Sequence, residues 1–117
     1  MNKASDARIP IVFGGEPSPD DAILVEDGRD MPETGYAVRF AVAGGQPGHV
    51  IGCACCSLRG PAADALGRIF MARARGEAPF FGRVVVLASV DGEMAIREAL
   101  TGDVVTRARY RLEMAKT

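Results

Sequence analysis

"RVVVLASV", residues 83–90, decides how the rest of this chain is read. Its apolar residues run almost without a break, and three consecutive valines favour a pleated backbone. A strand with one wet face alternates apolar with polar residues. A nearly continuous run instead marks a strand covered on both faces, so this stretch is expected to be central in a sheet. Just upstream, Ala62, Leu66, Ile69, Phe70 and Arg73 recur at helical spacing behind Pro61, which suits a first helical turn. Asp64 and Arg68 sit four apart on the wetter face, Arg73 and Arg75 complement the helix dipole, and Gly76 with Pro79 stops the helix. Downstream, Asp91 is expected to cap a helix over 93–100 that Gly102 ends. For residues 103–117, a further helix and a short helix followed by a strand both fit the pattern.

Further toward the N-terminus, the apolar run 9–13 reads as a strand that stops at "GGEPSPDD", and "AILV" at 22–25 reads as a second. "EDGRDMPETG" is polar and turn-rich, as a surface connection should be. Tyr36, Val38, Phe40 and Val42 alternate with Ala37, Arg39 and Ala41, the period of a strand with one buried face. "GGQPG" ends it, and residues 49–51 are apolar enough for a short strand that would deliver the next residues onto a loop. Strands alternating with helices predict an α/β fold, a small mostly parallel sheet flanked by helices. In such sheets ligands gather at the carboxyl ends of strands.

A chain of 117 residues, 48% hydrophobic and 25% charged, has room for one core, so residues 1–117 are expected to form a single domain with 1–8 disordered. With 14 basic and 15 acidic residues and no long run of either sign, the chain shows no footprint for nucleic acid or a membrane surface. The first ten residues lack the apolar core of a signal peptide, and no apolar stretch has the length of a membrane span, so the expected location is cytoplasmic.

All three cysteines fall within "GCACCSLRG", at Cys53, Cys55 and Cys56. Neighbours this close cannot staple distant parts of a fold, so free thiols in a reducing compartment are expected. On a strand-to-helix loop, backbone amides favour the thiolate, and three thiolates can converge on one soft or borderline ion, zinc first because it accepts a tetrahedral set of sulfur, nitrogen and oxygen. The fourth ligand is expected from His49, the only histidine, from an acid such as Glu16, Asp20 or Asp91 where strands end, or from water. Three other readings stay open. The cysteines can simply pack beneath the helix. They can be redox-active, although C-x-C-C lacks the two-residue spacer of the usual dithiol. Cys53 to Arg59 also spells C-x5-R, which looks like the phosphate-binding loop of cysteine phosphatases, with Asp91 as the acid.

"GCACCSLRG" resembles the G-C-x-C-C segment of the CobW-like GTPases, a family associated with metal delivery and homeostasis. "FGRVVVL" and "LTGDVVTRARYRL" are similar to stretches that follow the motif in that family. "GEPSPDDAILVEDG" resembles its acidic loop, with Glu16 and Asp20 on the loop's second glutamate and its aspartate. The chain departs from the family in having no G-x-x-x-x-G-K-[ST] and no N-K-x-D, and in carrying Phe13 and Leu87 where the family has glutamates. The resemblance therefore implies a truncated P-loop-NTPase-like sandwich that works without nucleotide and keeps the parts used for metal, handing the ion to a recipient protein or buffering it. Loss of a first strand and helix would expose an edge or an apolar face, for which a homo-oligomer is the expected cover. The alternative from another class is a non-catalytic interaction module in which the cysteines are structural.

Overall fold

The computed structural model describes residues 7–42 and 60–113. Five strands and three helices follow in the order β1 (Ile9–Phe13), β2 (Ala22–Glu26), β3 (Tyr36–Phe40), α1 (Pro61–Ala74), β4 (Val84–Leu87), α2 (Val90–Gly102), α3 (Val104–Arg109) and β5 (Tyr110–Leu112). The strands form one sheet ordered β3-β2-β4-β1-β5, and every pairing is parallel. The valine run occupies the middle, where Val84, Val85 and Val86 are fully buried between Ala22 to Leu24 of β2 and Ile11 to Phe13 of β1. It is shorter than the sequence pattern implied. β4 ends at Leu87, and Val90, 76% exposed, already belongs to α2. The mostly parallel α/β architecture is thus present, and its C-terminal portion takes the helix-then-strand alternative.

Chain direction across the sheet explains how its two faces differ. From β1 to β2 to β3 the chain steps one way, and from β3 to β4 to β5 it steps back. Right-handed crossovers then put the first two connections on one face and the last two on the other. The core follows this division. Ile11, Leu24, Val84, Val86 and Phe40 pack with Leu66, Ile69 and Ile96 of the helices, whereas Ile23, Val25 and Val85 form a separate cluster without a helical member. The first two connections, residues 14–21 and 27–35, are both shorter than the dozen or so residues a parallel crossover usually needs, and Gly35 of the second closes on Ile23.

The helices have local reasons to start and stop. Pro61 opens α1, and Gly76, at φ 79°, closes it. The Glu77 and Gly76 amides then return to the Ala72 and Arg73 carbonyls at 2.8 and 3.3 Å, a Schellman turn. Asp64 and Arg68 approach to 3.9 Å on the exposed side of α1. At α2 the cap is Ser89, whose hydroxyl accepts from the Gly92 amide at 3.2 Å. Asp91, expected as the cap, lies inside the first turn instead, because the helix begins one residue before it. Asp103 caps α3 by accepting from the Thr106 amide and hydroxyl. At the far edge, the buried Tyr110 hydroxyl donates to the Leu66 carbonyl at 2.8 Å, tying β5 to α1, and burial pushes its phenol well above the usual range. Among the described residues, no helix is long and apolar enough to cross a membrane.

Candidate functional site

The connections leaving β1 and β4, neighbours in the sheet, run in opposite directions, so a topological switch point lies at their carboxyl ends. β1 gives way there to Gly14 and Gly15, at φ 78° and 96°, a backbone that side chains other than glycine adopt at a cost. Gly14 still donates to the Val86 carbonyl at 2.9 Å, extending the ladder past the strand. The Phe13 ring lies 4.8 Å beneath the Arg97 guanidinium of α2, packing the first strand's end against that helix.

β2 ends on Glu26, whose Oε1 accepts from the Ser89 amide at 2.7 Å, so a carboxylate sits at the start of α2. That bond, with help from the Ser89 side chain and the Arg29 charge, holds the Glu26 carboxyl below its ordinary value against the opposing effect of burial. Gly92 makes the approach possible. A Cβ there would lie 2.7 Å from the Ala88 Cβ and 2.8 Å from Glu26 Oε1. Sequence reading left Glu26 in a surface turn. The missed signal is that the last residue of an apolar run in a parallel sheet stands at the carboxyl edge, beside the helix that follows its neighbour.

The C-x-C-C segment leaves β3 from this same edge. Ala41 and Val42 continue from the end of β3, and Gly60 leads into α1. Ala41, Gly60, Pro61, Ala62 and Ala63 share the lining of one groove of about 310 Å³ with the second half of α2, so the two flanks of the segment meet. Cys53, Cys55, Cys56 and His49 lie between them, outside the described residues, as do Arg59 of the C-x5-R pattern and the short strand expected at 49–51.

Glu16 is described and stands elsewhere. Its side chain is exposed, and its carbonyl lies 3.4 Å from an Arg83 guanidinium nitrogen, which anchors residue 16 to the crossover that runs back toward the start of β4. Asp20 is exposed on the turn leading into β2. Its neighbour Asp21 is the buried acid of that region. It accepts from Arg83 Nε and Nη2, both at 2.9 Å, and from the Ser18 amide at 2.8 Å. The structure therefore joins Asp21 to Arg83 in a fork-like ion pair at the amino edge and puts Asp91 at the carboxyl edge, exposed. Among the described residues no three His, Cys, Asp or Glu side chains converge as a metal set. In chemical terms the described part of the carboxyl edge offers the Glu26 carboxylate, a capped helix start and the point where the cysteine segment leaves β3. Compared with family models, with curated proteins and with solved structures, the chain finds no match in any of the three.

Proposed function

We propose that this is a small nucleotide-independent metal-binding protein, a reduced CobW-like chain, in which Cys53, Cys55 and Cys56 ligate zinc and Glu16 or His49 completes the set. Its role is metal transfer, buffering or homeostasis. One observation carries the reading. Three thiols fall within four positions of a segment that leaves β3 at the carboxyl edge of a parallel sheet, the edge where such folds bind ligands, and whose two flanks line one groove. The donor set suits zinc, since three thiolates with one nitrogen or oxygen ligand match its tetrahedral preference. Bound there, the ion supplies a cargo or a closed structural centre, and the chain's own residues supply only ligation. Glu16 is exposed on the crossover after β1.

The test is metal content after anaerobic purification without a histidine tag. About one zinc per chain is expected, with none in a variant carrying C53S, C55S and C56S; E16Q and H49N then identify the fourth ligand. No bound metal, and no uptake of zinc, copper(I), cobalt or nickel under reducing conditions, overturns the proposal. A second reading, an oligomeric interaction module with the cysteines as a structural clip, draws support from Phe80, Val90 and Val104, which are 80%, 76% and 67% exposed. Chelation separates the two, because a clip unfolds when stripped while a transfer site loses its ion and stays folded.

A further inference from the structure

β3 is an outer strand of the sheet, and among the described residues it pairs with β2 alone. The Tyr36 amide donates to the Asp21 carbonyl at 3.0 Å, and the Phe40 carbonyl accepts from the Asp27 amide at 2.9 Å. Residues 36, 38 and 40 therefore direct their backbone groups at β2, and the alternation of a strand turns those of Ala37 and Arg39 outward. Consider two copies of β3 set antiparallel about a two-fold axis at Val38. Ala37 then stands opposite Arg39 of the other copy on each side of the axis, and each such pair exchanges both of its hydrogen bonds. The outward groups of one copy are those the other copy needs.

The helix beside this edge carries matching charge. Asp64, Arg68, Met71 and Arg75 recur at helical spacing, are all exposed, and line one groove with Tyr36 and Val38 of β3. An antiparallel copy of α1, turned about the middle of that stripe between residues 69 and 70, sets Asp64 level with Arg75 and Arg68 level with Met71. Each Asp64 thus faces a cation of the other copy. Asp64 also meets Arg68 of its own helix at 3.9 Å, whereas Arg75 forms no ion pair among the described residues. The groove as a whole holds both signs, Asp64 and Glu77 with Arg68, Arg75 and Arg109, a mixture that suits a copy of itself better than a polyanion.

One axis serves strand and helix together. Because β3 and β4 are both parallel to β2, α1 must run back along β3 to reach the start of β4. Ala41 and Pro61 line one groove, so α1 starts beside the end of β3. Val38 lies about 10 Å along β3 from Ala41, and the middle of the stripe lies about 13 Å along α1 from Pro61. The two centres fall within a helical turn of each other.

We infer that β3 and the outer stripe of α1 form a two-fold interface with a second copy of this chain, joining the two sheets into one. Backbone pairing at Ala37 and Arg39 fixes the register, and the two Asp64–Arg75 pairs fix the direction. The inference supplies the face and the partner for the oligomeric reading, and it does not rest on the metal site.

The test is sedimentation equilibrium of the full chain under reducing conditions over a range of concentrations. A monomer–dimer equilibrium is expected. D64R and R75E are each expected to raise the dimer dissociation constant about tenfold or more, and D64R/R75E, which restores opposite charges across the axis, to return it to within about threefold of the parent. R39P removes an outward N–H and leaves the bonds to β2, so it is expected to abolish the dimer and keep the monomer folded. C53S/C55S/C56S is expected to dimerise as the parent does, which separates this interface from the metal proposal. Circular dichroism checks folding, and the charge variants, altered on an exposed helix face, keep the test decisive if R39P does not fold. A chain that stays monomeric at every concentration, a dimer indifferent to R39P and R75E, no recovery in D64R/R75E, or a dimer lost with the cysteines while the chain stays folded overturns the inference.

Discussion

At Ser89 two hydrogen bonds meet: the hydroxyl accepts from the Gly92 amide and the backbone amide donates to Glu26. A single residue therefore caps α2 and ties it to the end of β2. The two functions separate on substitution, because S89A removes the hydroxyl and keeps the amide. S89A is expected to cost about 1 kcal/mol in urea unfolding, the usual worth of a cap. D91A, which loses only a favourable charge in the first turn, is expected to cost about 0.5 kcal/mol or less. Equal effects would show that Ser89 does not act as the cap. Sequence pattern pointed to Asp91 because aspartate caps helices and precedes a glycine, a common loop signal. What it did not contain is the tertiary reason for an earlier start, the Glu26 carboxylate waiting at the Ser89 amide.

At the scale of elements, the unusual parts are the two helix-free crossovers. The second, residues 27–35, returns across the sheet and lands on Gly35 at φ 84°, beside the start of β3. A Cβ on Gly35 would collide with Ile23 Cδ1 and stand 2.9 Å from the Asp21 carbonyl oxygen. The crossover can lie this close to the sheet only with glycine there. G35A is expected to destabilise by about 2–4 kcal/mol, through backbone strain and overpacking together, with a matching fall in the urea midpoint. A loss under 1 kcal/mol would mean that residues 27–35 lie farther from Ile23 than described. Strands were legible because the valine run and the alternation at Tyr36 to Phe40 carry their own periodicity. The crossovers were legible only as polar turns. Nothing local in "EDGRDMPETG" says that it spans a strand's length and comes down on Ile23, since that follows from strand order, a property of the whole sheet.

For the whole molecule, the Asp21–Arg83 pair links acid stability to the fold. Burial alone would raise the Asp21 carboxyl, but the Arg83 hydrogen bonds and charge, with the Ser18 amide, outweigh it and hold the carboxyl below its ordinary 3.8. Unfolded chains thus take up the proton first as pH falls. The stabilisation is complete above about pH 4–5, and it drains away as pH drops through the lower folded value. D21N is expected to lose about 1–3 kcal/mol at pH 7, the range for breaking a partly exposed ion pair, and to show a shallower decline below pH 4 than the parent. A parallel decline in both proteins would show that Asp21 carries none of the acid sensitivity. The pair itself could not be read from sequence, because 62 positions separate its members and only the β2–β4 register brings them together. The cysteine cluster, by contrast, was legible at once from spacing alone.

β1 lies between β4 and β5, with Ile11 opposite Val84 on one side and Ile9 opposite Tyr110 on the other. Among the described strands β1 comes first in the sequence, yet both of its neighbours lie beyond α1. Until Val84 to Leu87 have been synthesised, its backbone amides and carbonyls have neither β4 nor β5 to pair with, while β2 and β3 can already join. A nascent chain is consequently open to foreign strands along β1, first on the side that β4 will take and then, until Tyr110 docks on Leu66, on the side that β5 will take.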